Sequence, residues 1–388
     1  MKFLIHIPQL IYGGAEKVLV SFANTLVEHG HEVEVLETYE KGLLRSQFDS
    51  RVMFQAICSK EYTEKYYASL NSIFSEKNIV SKIKKCGKLF FSKVVGYKRF
   101  AEYLCAKKYT NEEYDVAINY LEIESPKFIL NSIKAKKYLQ WYHIDVANMS
   151  CPEETDRMIP YYLQMDKIFC VSQSAKDSLV NRYPEIKEKV EVMYNFFEKE
   201  IISTKGMEAF SFNTDKPVLL SVGRMTEQKK YLRFIEILRR LHKEGYEFQW
   251  HILGLGIQEK LIRNKIDEYA LQDVVFLDGV TDNPYKYMKN CDLFVLPSGW
   301  EGFPTVTIEA KMLECPVLAT DVSGIREQMK HGVNGWIVDN NEEAIYTGLK
   351  YLLDNVEVRE KISGNIGMEC LWDSEEKYAQ FEKMINET

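Results

Sequence analysis

The sequence alternates short apolar runs with helical patterns, and it does so in two successive halves. In the first half these runs lie at 3–7, 32–36, 114–119, 137–144, 167–171 and 190–194. In the second half they lie at 218–222, 248–253, 274–277, 293–296, 316–319 and 336–338. Short apolar runs bounded by turn residues and separated by helices are typical of parallel, doubly wound sheets. The sequence therefore predicts an α/β protein with two such sheets.

The chain length agrees with two domains. At 388 residues the chain exceeds one ordinary domain, and each half is long enough to bury its own core. The polar segment from about 198 to 216 is the predicted linker. We expect a first domain at 1–197, a second at 198–372, and a terminal helix within 373–388. The carboxyl ends of the strands in the two sheets would then face each other across a cleft.

Composition and cysteine spacing exclude several classes of protein. Hydrophobic residues make up 46% and charged residues 28% of the chain, as in soluble globular proteins. The net charge of −7 argues against nucleic-acid binding. The eight cysteines form no C-x-x-C pair, and no histidine cluster has metal-ligand spacing, which favours reduced thiols and no metal site.

The N-terminal sequence MKFLIHIPQLIYGG is predicted to be a first strand and not a signal peptide. Its apolar run is broken by His6, Pro8 and Gln9, and it has no small-residue cleavage site. The following Gly13 and Gly14 open a predicted helix, where glycine allows a ligand close to the backbone. Nowhere in the chain does an apolar run reach about 18 residues, so we expect no membrane-spanning helix.

The segment from Lys77 to Lys108 is strongly basic within an acidic chain. It contains ten Lys or Arg and one acidic residue. Apolar residues at helical spacing predict one stripe along a helix; they are Ile79, Ile83, Cys86, Phe90, Val94 and Tyr97. A basic amphipathic helix is a candidate for contact with an anionic membrane surface. An equally good interpretation is a core-packed helix with a solvated basic face.

The stretch from Pro297 to Thr320, PSGWEGFPTVTIEAKMLECPVLAT, places two carboxylates beside a helix N-terminus. A buried strand at 293–296 is followed by a loop that holds Glu301. Pro304 is predicted at the first helical position, because it has no amide proton to lose there. Glu309 then lies in the first turns. The free amides and dipole of such a helix end attract phosphate.

The string EGFPTVTIEA, followed by CPVLATDVSGIREQMKHGVNGWIV, resembles the E-x7-E signature of retaining nucleotide-sugar glycosyltransferases of family four. The resemblance is strong for about 210–345 and weak in the first half. It implies the GT-B fold, with two Rossmann-like domains across a cleft. In such enzymes the second domain holds the donor, the first holds the acceptor, and the terminal helix packs back on the first domain.

The resemblance also implies a function. We expect a metal-independent enzyme that transfers a sugar with retention from a nucleotide sugar, with a UDP-sugar favoured. The acceptor would be a glycan or a lipid-linked glycan in surface polysaccharide biosynthesis. Such an enzyme would be cytoplasmic and peripheral on the inner face of the membrane, and it would need no cofactor.

The resemblance assigns the catalytic cations to the loop GRMTEQKK. The sequence contains no D-x-D motif, the usual metal-holding pair, so fixed cations must stabilise the charge that builds on the leaving diphosphate. Arg224 can grip phosphate oxygens with two parallel donors, and Lys229 acts as a point charge. The family commonly has glycine after this lysine, whereas this chain has Lys230. The role could therefore belong to either lysine.

Other roles follow from the same resemblance. Glu309 would accept hydrogen bonds from the ribose hydroxyls, and Glu301 would lie nearer the sugar and phosphate. Backbone amides near the diphosphate would come from Phe303, Thr305 and Val306, while Pro304 removes one donor. The remaining donor-binding positions are Gly14 beneath the diphosphate and Gly254, Gly279 and Val280 beside the base.

His143 and Asp145 follow a predicted strand, at the edge where α/β proteins bind ligands. A lone histidine is more often a structural residue. The family, however, has a histidine or an acid near this strand end that touches the transferred sugar. The resemblance therefore makes His143 a catalytic candidate and Asp145 a weaker one.

Three other functions fit parts of the sequence. A glycoside hydrolase could use Glu301 and Glu309 as acid and nucleophile, but it would not need Arg224 or Lys229. A dinucleotide-dependent oxidoreductase suits two α/β halves, yet the GLGIQE string at Gly254 lacks the third glycine of that motif. An inactive scaffold is disfavoured, since all four of these charged residues are present.

Overall fold

The computed structural model describes residues 1–11, 13–148, 153–367 and 373–387. Within these residues, no helix combines the length and apolar character that are needed to cross a bilayer. The described strands form two sheets, one of seven strands and one of six, and every strand pair is parallel. The predicted α/β class with two parallel sheets is confirmed.

The first sheet has the order β3-β2-β1-β4-β5-β6-β7. Its strands are β1 (Lys2–Ile7), β2 (Glu32–Tyr39), β3 (Met53–Cys58), β4 (Glu113–Asn119), β5 (Lys134–Tyr142), β6 (Lys167–Cys170) and β7 (Val190–Val192). All but β3 were predicted. β3 lies at the sheet edge, and its first four residues are not buried, so it lacks the continuous apolar run of a central strand.

The second sheet has the order β10-β9-β8-β11-β12-β13. Its strands are β8 (Val218–Val222), β9 (Gln249–Leu253), β10 (Val275–Gly279), β11 (Leu293–Leu296), β12 (Val317–Thr320) and β13 (Trp336–Val338). In both sheets the chain order reverses beside the first strand, at β1 and at β8. Ligands of open α/β sheets bind outside the carboxyl ends of strands at such a switch point.

Helices connect the strands and cover the sheets. In the first half they are α1 (Gly14–Glu28), α2 (Lys60–Tyr66), α3 (Leu70–Phe74), α4 (Ile79–Phe91), α5 (Tyr97–Lys108), α6 (Lys127–Ser132), α7 (Glu153–Asp156), α8 (Ile159–Tyr162) and α9 (Gln173–Arg182). In the second half they are α10 (Lys199–Gly206), α11 (Tyr231–Lys243), α12 (Glu259–Glu268), α13 (Tyr285–Asn290), α14 (Thr305–Met312), α15 (Ile325–Gln328), α16 (Glu342–Asp354), α17 (Val356–Gly367) and α18 (Ser374–Asn386).

Two local predictions were wrong. The expected linker at 198–216 begins with α10, which packs against α13 and α14, with Asn283 Nδ2 donating to the Lys205 carbonyl at 2.9 Å. Pro304 is not the first residue of α14 but the residue before it, with an extended ψ of 113°. Its fixed φ suits either position, so sequence alone did not separate the two.

The last helix, α18, packs on the first sheet. Phe381 is fully buried, and its ring lies 5.1 Å from that of Phe22 and 5.9 Å from that of Trp141. The Tyr378 ring stacks on His29 at 3.5 Å. These aromatic contacts hold the C-terminus of the chain against the N-terminal half. Cys151, Cys370 and Trp372 lie outside the described residues.

The basic segment is not one continuous helix. α4 passes into a π-helical turn at Ser92–Gly96, and α5 begins at Tyr97 after Gly96, whose φ is 83°. Tyr97 turns inward and packs on Tyr62. The rest of the predicted stripe faces solvent: Ile79 is 74%, Ile83 66%, Phe90 71% and Val94 66% exposed. The interpretation of this stripe as a core-packed face is therefore wrong for α4.

Candidate active site

The carboxyl ends of the two sheets meet across a closed cleft. The Ser172 hydroxyl donates to the carbonyl of Gly302 at 3.2 Å, and the amide of Gly324 donates to Ser174 Oγ at 3.0 Å. Gly302 packs so closely that a Cβ there would lie 2.1 Å from the carbonyl oxygen of His143. The loop after β11 therefore touches the residue that follows β5.

Glu301 is buried in the loop after β11 and is held by three donors. Its Oε1 accepts from Ser298 Oγ at 2.6 Å and from Lys229 Nζ at 2.7 Å. Its Oε2 accepts from Gln228 Nε2 at 3.1 Å. These bonds tie the loops after β8 and β11 together and fix the carboxylate in one orientation.

The structure separates the two adjacent lysines. Lys229 points inward to Glu301, whereas Lys230 forms a surface ion pair with Glu227. Lys230 has a φ of 52°, in the left-handed region that glycine adopts most easily. This conformation explains why glycine is expected at the position after the inward-pointing lysine. Of the two lysines, Lys229 is therefore the one near Glu301.

Arg224 lies two residues after the carboxyl end of β8 and is exposed. Its guanidinium forms no ion pair with the residues that the structure describes. It lies near Glu16 at the start of α1, whose pKa is raised by burial while a backbone hydrogen bond and the Arg224 charge oppose that rise. A cation from the second domain thus faces the first turn of a helix in the first domain.

Two helix N-termini face the same space. Gly14 begins α1, and a Cβ at Gly14 would lie 3.2 Å from the hydroxyl of Thr305, which begins α14. Free amides at both helix ends can donate to an anion placed between them. Of the residues expected to supply amides, Phe303 is buried with its ring centre 5.5 Å from that of Tyr194, while Val306 lies in the first turn of α14.

Glu309 is buried on α14 and bonded to the other domain. Its Oε1 accepts from Lys17 Nζ at 3.1 Å, and its Oε2 has no hydrogen-bond partner in the described ranges of the chain. Burial works against the charge on Lys17, but Glu309 and Tyr285 outweigh it and raise the pKa of the ammonium. The Lys17 ammonium also lies 4.5 Å from the Tyr285 ring centre. One carboxylate oxygen of Glu309 is thus bonded to Lys17, and the other is left for a ligand.

The predicted base-side glycines lie on adjacent strand ends. Gly254 has a φ of 148°, its amide donates to the Gly279 carbonyl at 2.6 Å, and a Cβ at Gly254 would lie 2.1 Å from the Gly223 carbonyl oxygen. Gly279 has a φ of 75°, and Val280 beside it is exposed. The loops after β8, β9 and β10 therefore pack together without side chains between them.

His143 follows β5 directly and is enclosed. Within the described part of the chain neither ring nitrogen has a hydrogen-bond partner, and burial lowers the pKa of His143 to about 3. Its backbone amide donates to Glu122 Oε2 at 2.9 Å. The Glu122 carboxyl is itself buried, which raises its pKa to about 7. Asp145 does not join this pair, because its carboxylate accepts from the Ser323 hydroxyl across the domains.

The structure thus brings most of the predicted residues to one cleft. Lys17 and Glu122 were not predicted. Lys17 follows the GGAE turn directly. Its position on the first turn of α1 could therefore have identified it as a site residue. Glu122 lies three residues past β4, on a strand end in the centre of the sheet. That position, rather than any motif, would have identified it.

Known proteins match this chain mainly in its second half. Residues 203–366 match the family described as Glycosyl transferases group 1. Over these residues the chain is similar to that family. The expected family resemblance is confirmed, and the matched residues include Arg224, Lys229, Glu301 and Glu309.

The names of two relatives of this chain describe glycan assembly. The Campylobacter jejuni N-acetylgalactosamine-N,N'-diacetylbacillosaminyl-diphospho-undecaprenol 4-alpha-N-acetylgalactosaminyltransferase is 34% identical over 200 residues, 51% of this chain and 53% of that protein. The Staphylococcus aureus capsular polysaccharide biosynthesis glycosyltransferase CapM is 26% identical over 274 residues, 66% of this chain and 67% of CapM. The chain thus spans about half the length of the first of these relatives.

A solved structure matches the whole chain. Anabaena HepE, crystallised with UDP and glucose, superposes with a TM-score of 0.75 and 14% identity, covering 100% of both chains. Identity at this level shows the fold alone. The chain therefore has the predicted GT-B fold.

Proposed function

We propose that this protein transfers a sugar from a UDP-sugar to a glycan or lipid-linked acceptor, with retention and without a metal ion. The observation that carries the proposal is the cleft itself. Arg224 and Lys229 lie in the loop after β8, beside the loop after β11 that leads into α14, and Glu309 keeps one buried oxygen without a partner among the described residues. Cations and backbone amides bind the phosphates of a nucleoside diphosphate, and a free carboxylate oxygen can accept a hydrogen bond from its ribose.

Each residue has a distinct role in this proposal. Arg224 and Lys229 hold the diphosphate oxygens and stabilise the charge that develops as the sugar leaves. Glu301 uses only one of the three donors of Lys229, so two remain for phosphate. Glu309 Oε2 accepts from a ribose hydroxyl. The names of the relatives support the acceptor class and a place in polysaccharide biosynthesis.

Retention requires attack on the face that the diphosphate leaves. In the proposed step, the acceptor hydroxyl oxygen bonds to the anomeric carbon as the bond from that carbon to the phosphate oxygen breaks. The hydroxyl proton passes to the departing phosphate oxygen. No side chain of the protein needs to become covalently attached, which agrees with the hydrogen bonds and ion pair that already occupy Glu301.

A nucleotide panel tests the proposed function. We expect UDP and at least one UDP-sugar to raise the thermal midpoint of the wild-type protein in EDTA, because a ligand at about 100 times its Kd adds about 2.7 kcal/mol of stability. ADP, GDP and CMP serve as comparisons. A panel in which no nucleoside diphosphate raises the midpoint, or in which only added Mg²⁺ allows the shift, would contradict the proposal.

We also propose that α4 docks the protein on an anionic membrane, where a lipid-linked acceptor would be found. Its exposed apolar residues stand beside Lys82, Lys84 and Lys93, which form no ion pair with the described residues. Apolar side chains can enter the interface while lysines meet anionic headgroups, each worth about 1 kcal/mol.

Liposome co-sedimentation tests this docking. We expect binding to vesicles of phosphatidylglycerol and phosphatidylcholine but not to pure phosphatidylcholine, and we expect Lys82→Glu with Lys84→Glu to abolish it. The matched control is Lys260→Glu with Lys361→Glu, two exposed lysines of the second half. Equal binding to both vesicle types, or equal loss in the control, would contradict docking by α4.

A further inference from the structure

Glu122 and His143 form a buried polar pair that no step of the proposed reaction uses. Their side chains are 5% and 8% exposed, and Glu122 Oε2 lies 3.8 Å from His143 Nδ1. Both imidazole nitrogens of His143 lack hydrogen-bond partners among the residues that the structure describes. Buried polar atoms without partners are uncommon and call for an explanation, since each costs the free energy of its lost hydration.

The pair lies at the reacting end of the cleft. Gly302 follows Glu301, and its Cα packs on the His143 carbonyl. On the other side stands Glu16, whose charge acts on Glu122 and which itself faces Arg224. The loop that carries Glu301 thus contacts His143, and the charge of Glu16 at the start of α1 acts on Glu122, so the pair lies near both elements that flank the proposed diphosphate site.

The chemistry of the pair fits hydroxyl groups. The low pKa of His143 keeps the imidazole neutral, so one ring nitrogen donates and the other accepts. An ionised carboxylate accepts only. Together the imidazole and the carboxylate offer one donor and two acceptors in a site shielded from water. A sugar hydroxyl both donates and accepts, so it can form hydrogen bonds with both groups. A phosphate, which only accepts, would be repelled by Glu122.

We propose that the Glu122 carboxylate binds a hydroxyl of the transferred sugar beside His143 and is a specificity residue for the donor. This inference rests on the proposed function, because it assumes that the nucleotide binds in this cleft. The sugar would then contact Glu122, which lies in the first domain on the loop after β4. The sugar would then bridge the domains, while the nucleotide is held by the second.

The test compares UDP with UDP-hexoses by isothermal titration at pH 8 in EDTA. The probes are UDP, UDP-glucose, UDP-galactose and UDP-N-acetylglucosamine, and the readout is the gain in affinity that the best hexose adds over UDP. We expect Glu122→Gln to reduce that gain about tenfold and to leave UDP affinity unchanged, because a charge-assisted bond is lost at the sugar alone. Glu124→Gln is the matched control, since that carboxylate faces Lys98 at 2.6 Å.

The pH dependence supplies a second readout. Because the pKa of Glu122 is raised to about 7, the wild-type gain should fall between pH 8 and pH 6 as the carboxyl is protonated, and it should be flat in Glu122→Gln. The other groups facing Glu122 are Glu16, His143, Tyr142, Tyr162 and Cys170.

Among these groups, Glu16 is the one other group whose pKa is shifted towards this window. His143 titrates far below it, and burial raises the pKa of the tyrosines and of Cys170 well above it. Burial also raises the pKa of Glu16, so Glu16→Gln is measured too. The decrease in the hexose affinity gain between pH 8 and pH 6 should persist in Glu16→Gln. If this decrease is lost in Glu16→Gln but persists in Glu122→Gln, the proposal is overturned.

Stability separates this role from a structural one. A carboxyl whose pKa is raised in the folded state stabilises the fold only below its unfolded pKa, and it loses that contribution as the pH rises through about 7. Glu122→Gln should therefore raise the thermal midpoint at pH 8. A lower midpoint with an unchanged sugar gain would make Glu122 purely structural and would overturn the inference alone. Wild-type protein that binds no UDP would overturn the proposed function with it.

Discussion

Replacing Arg224 with alanine is expected to lower the rate of sugar transfer by about 10²–10³-fold, the usual cost of removing one preorganised donor to a developing charge. Arg224 is exposed and forms no ion pair with the described residues, so its removal should leave the fold intact. The loss should fall on the rate constant more than on UDP affinity, because the diphosphate gains charge as the sugar leaves.

Steady-state kinetics with a fixed acceptor and varied UDP-sugar measure this effect, and the assay contains EDTA. Arg263→Ala is the matched control, since Arg263 is an exposed arginine of the same domain that pairs with Glu259 on α12. Its kinetics should match those of the wild type. If Arg224→Ala retains more than a third of the wild-type rate, fixed cations do not replace a metal in this cleft.

The second large prediction concerns the pair formed by Lys17 and Glu309. We expect Lys17→Met to lose more stability than Glu309→Gln, and Glu309→Gln to lose more UDP binding than Lys17→Met. In Lys17→Met, Glu309 is 4% exposed and neither of its oxygens has a partner among the described residues. Removing one partner from a buried pair costs about 3–5 kcal/mol. Glu309→Gln leaves Lys17, which is 31% exposed and can reach water, so its cost should be only about 1 kcal/mol.

Activity should follow the reverse order. If Glu309 Oε2 accepts from a ribose hydroxyl, Glu309→Gln should weaken UDP binding by about 10–100-fold, the effect expected of a charge-assisted bond. Lys17→Met should retain UDP binding at temperatures where it is folded. Urea denaturation and UDP titration of both single variants and the double variant measure the two effects. A folded Glu309→Gln variant that keeps the UDP affinity of the wild type would indicate that the pair matters only for the fold.

The sequence predicted the sheets well where the strands are buried on both faces. Leu293, Phe294, Val295 and Leu296 are all buried, so this continuous apolar run was recognisable as a strand. β3 was not recognisable, because an edge strand is partly exposed. α10 was mistaken for a linker, since its polar residues face solvent and only its packing on α13 and α14 makes it part of the second domain.

The candidate site was predictable only within one domain. Arg224, Lys229, Glu301 and Glu309 lie in a continuous stretch of family sequence, and the structure places them on neighbouring strand and helix ends. The contact between Lys17 and Glu309 joins residues 292 positions apart. No periodicity or local spacing encodes such a contact, because it forms only when the two domains close.

The central claim is that side-chain cations and a helix N-terminus hold the diphosphate of the donor without a metal ion. A crystal structure of the protein grown with UDP in EDTA tests this most directly. We expect the diphosphate oxygens within hydrogen-bond distance of Arg224, Lys229 and the amides that begin α14, with a ribose hydroxyl on Glu309. UDP bound outside this cleft, or no UDP bound until a divalent cation is added and bridges its phosphates, would contradict the account.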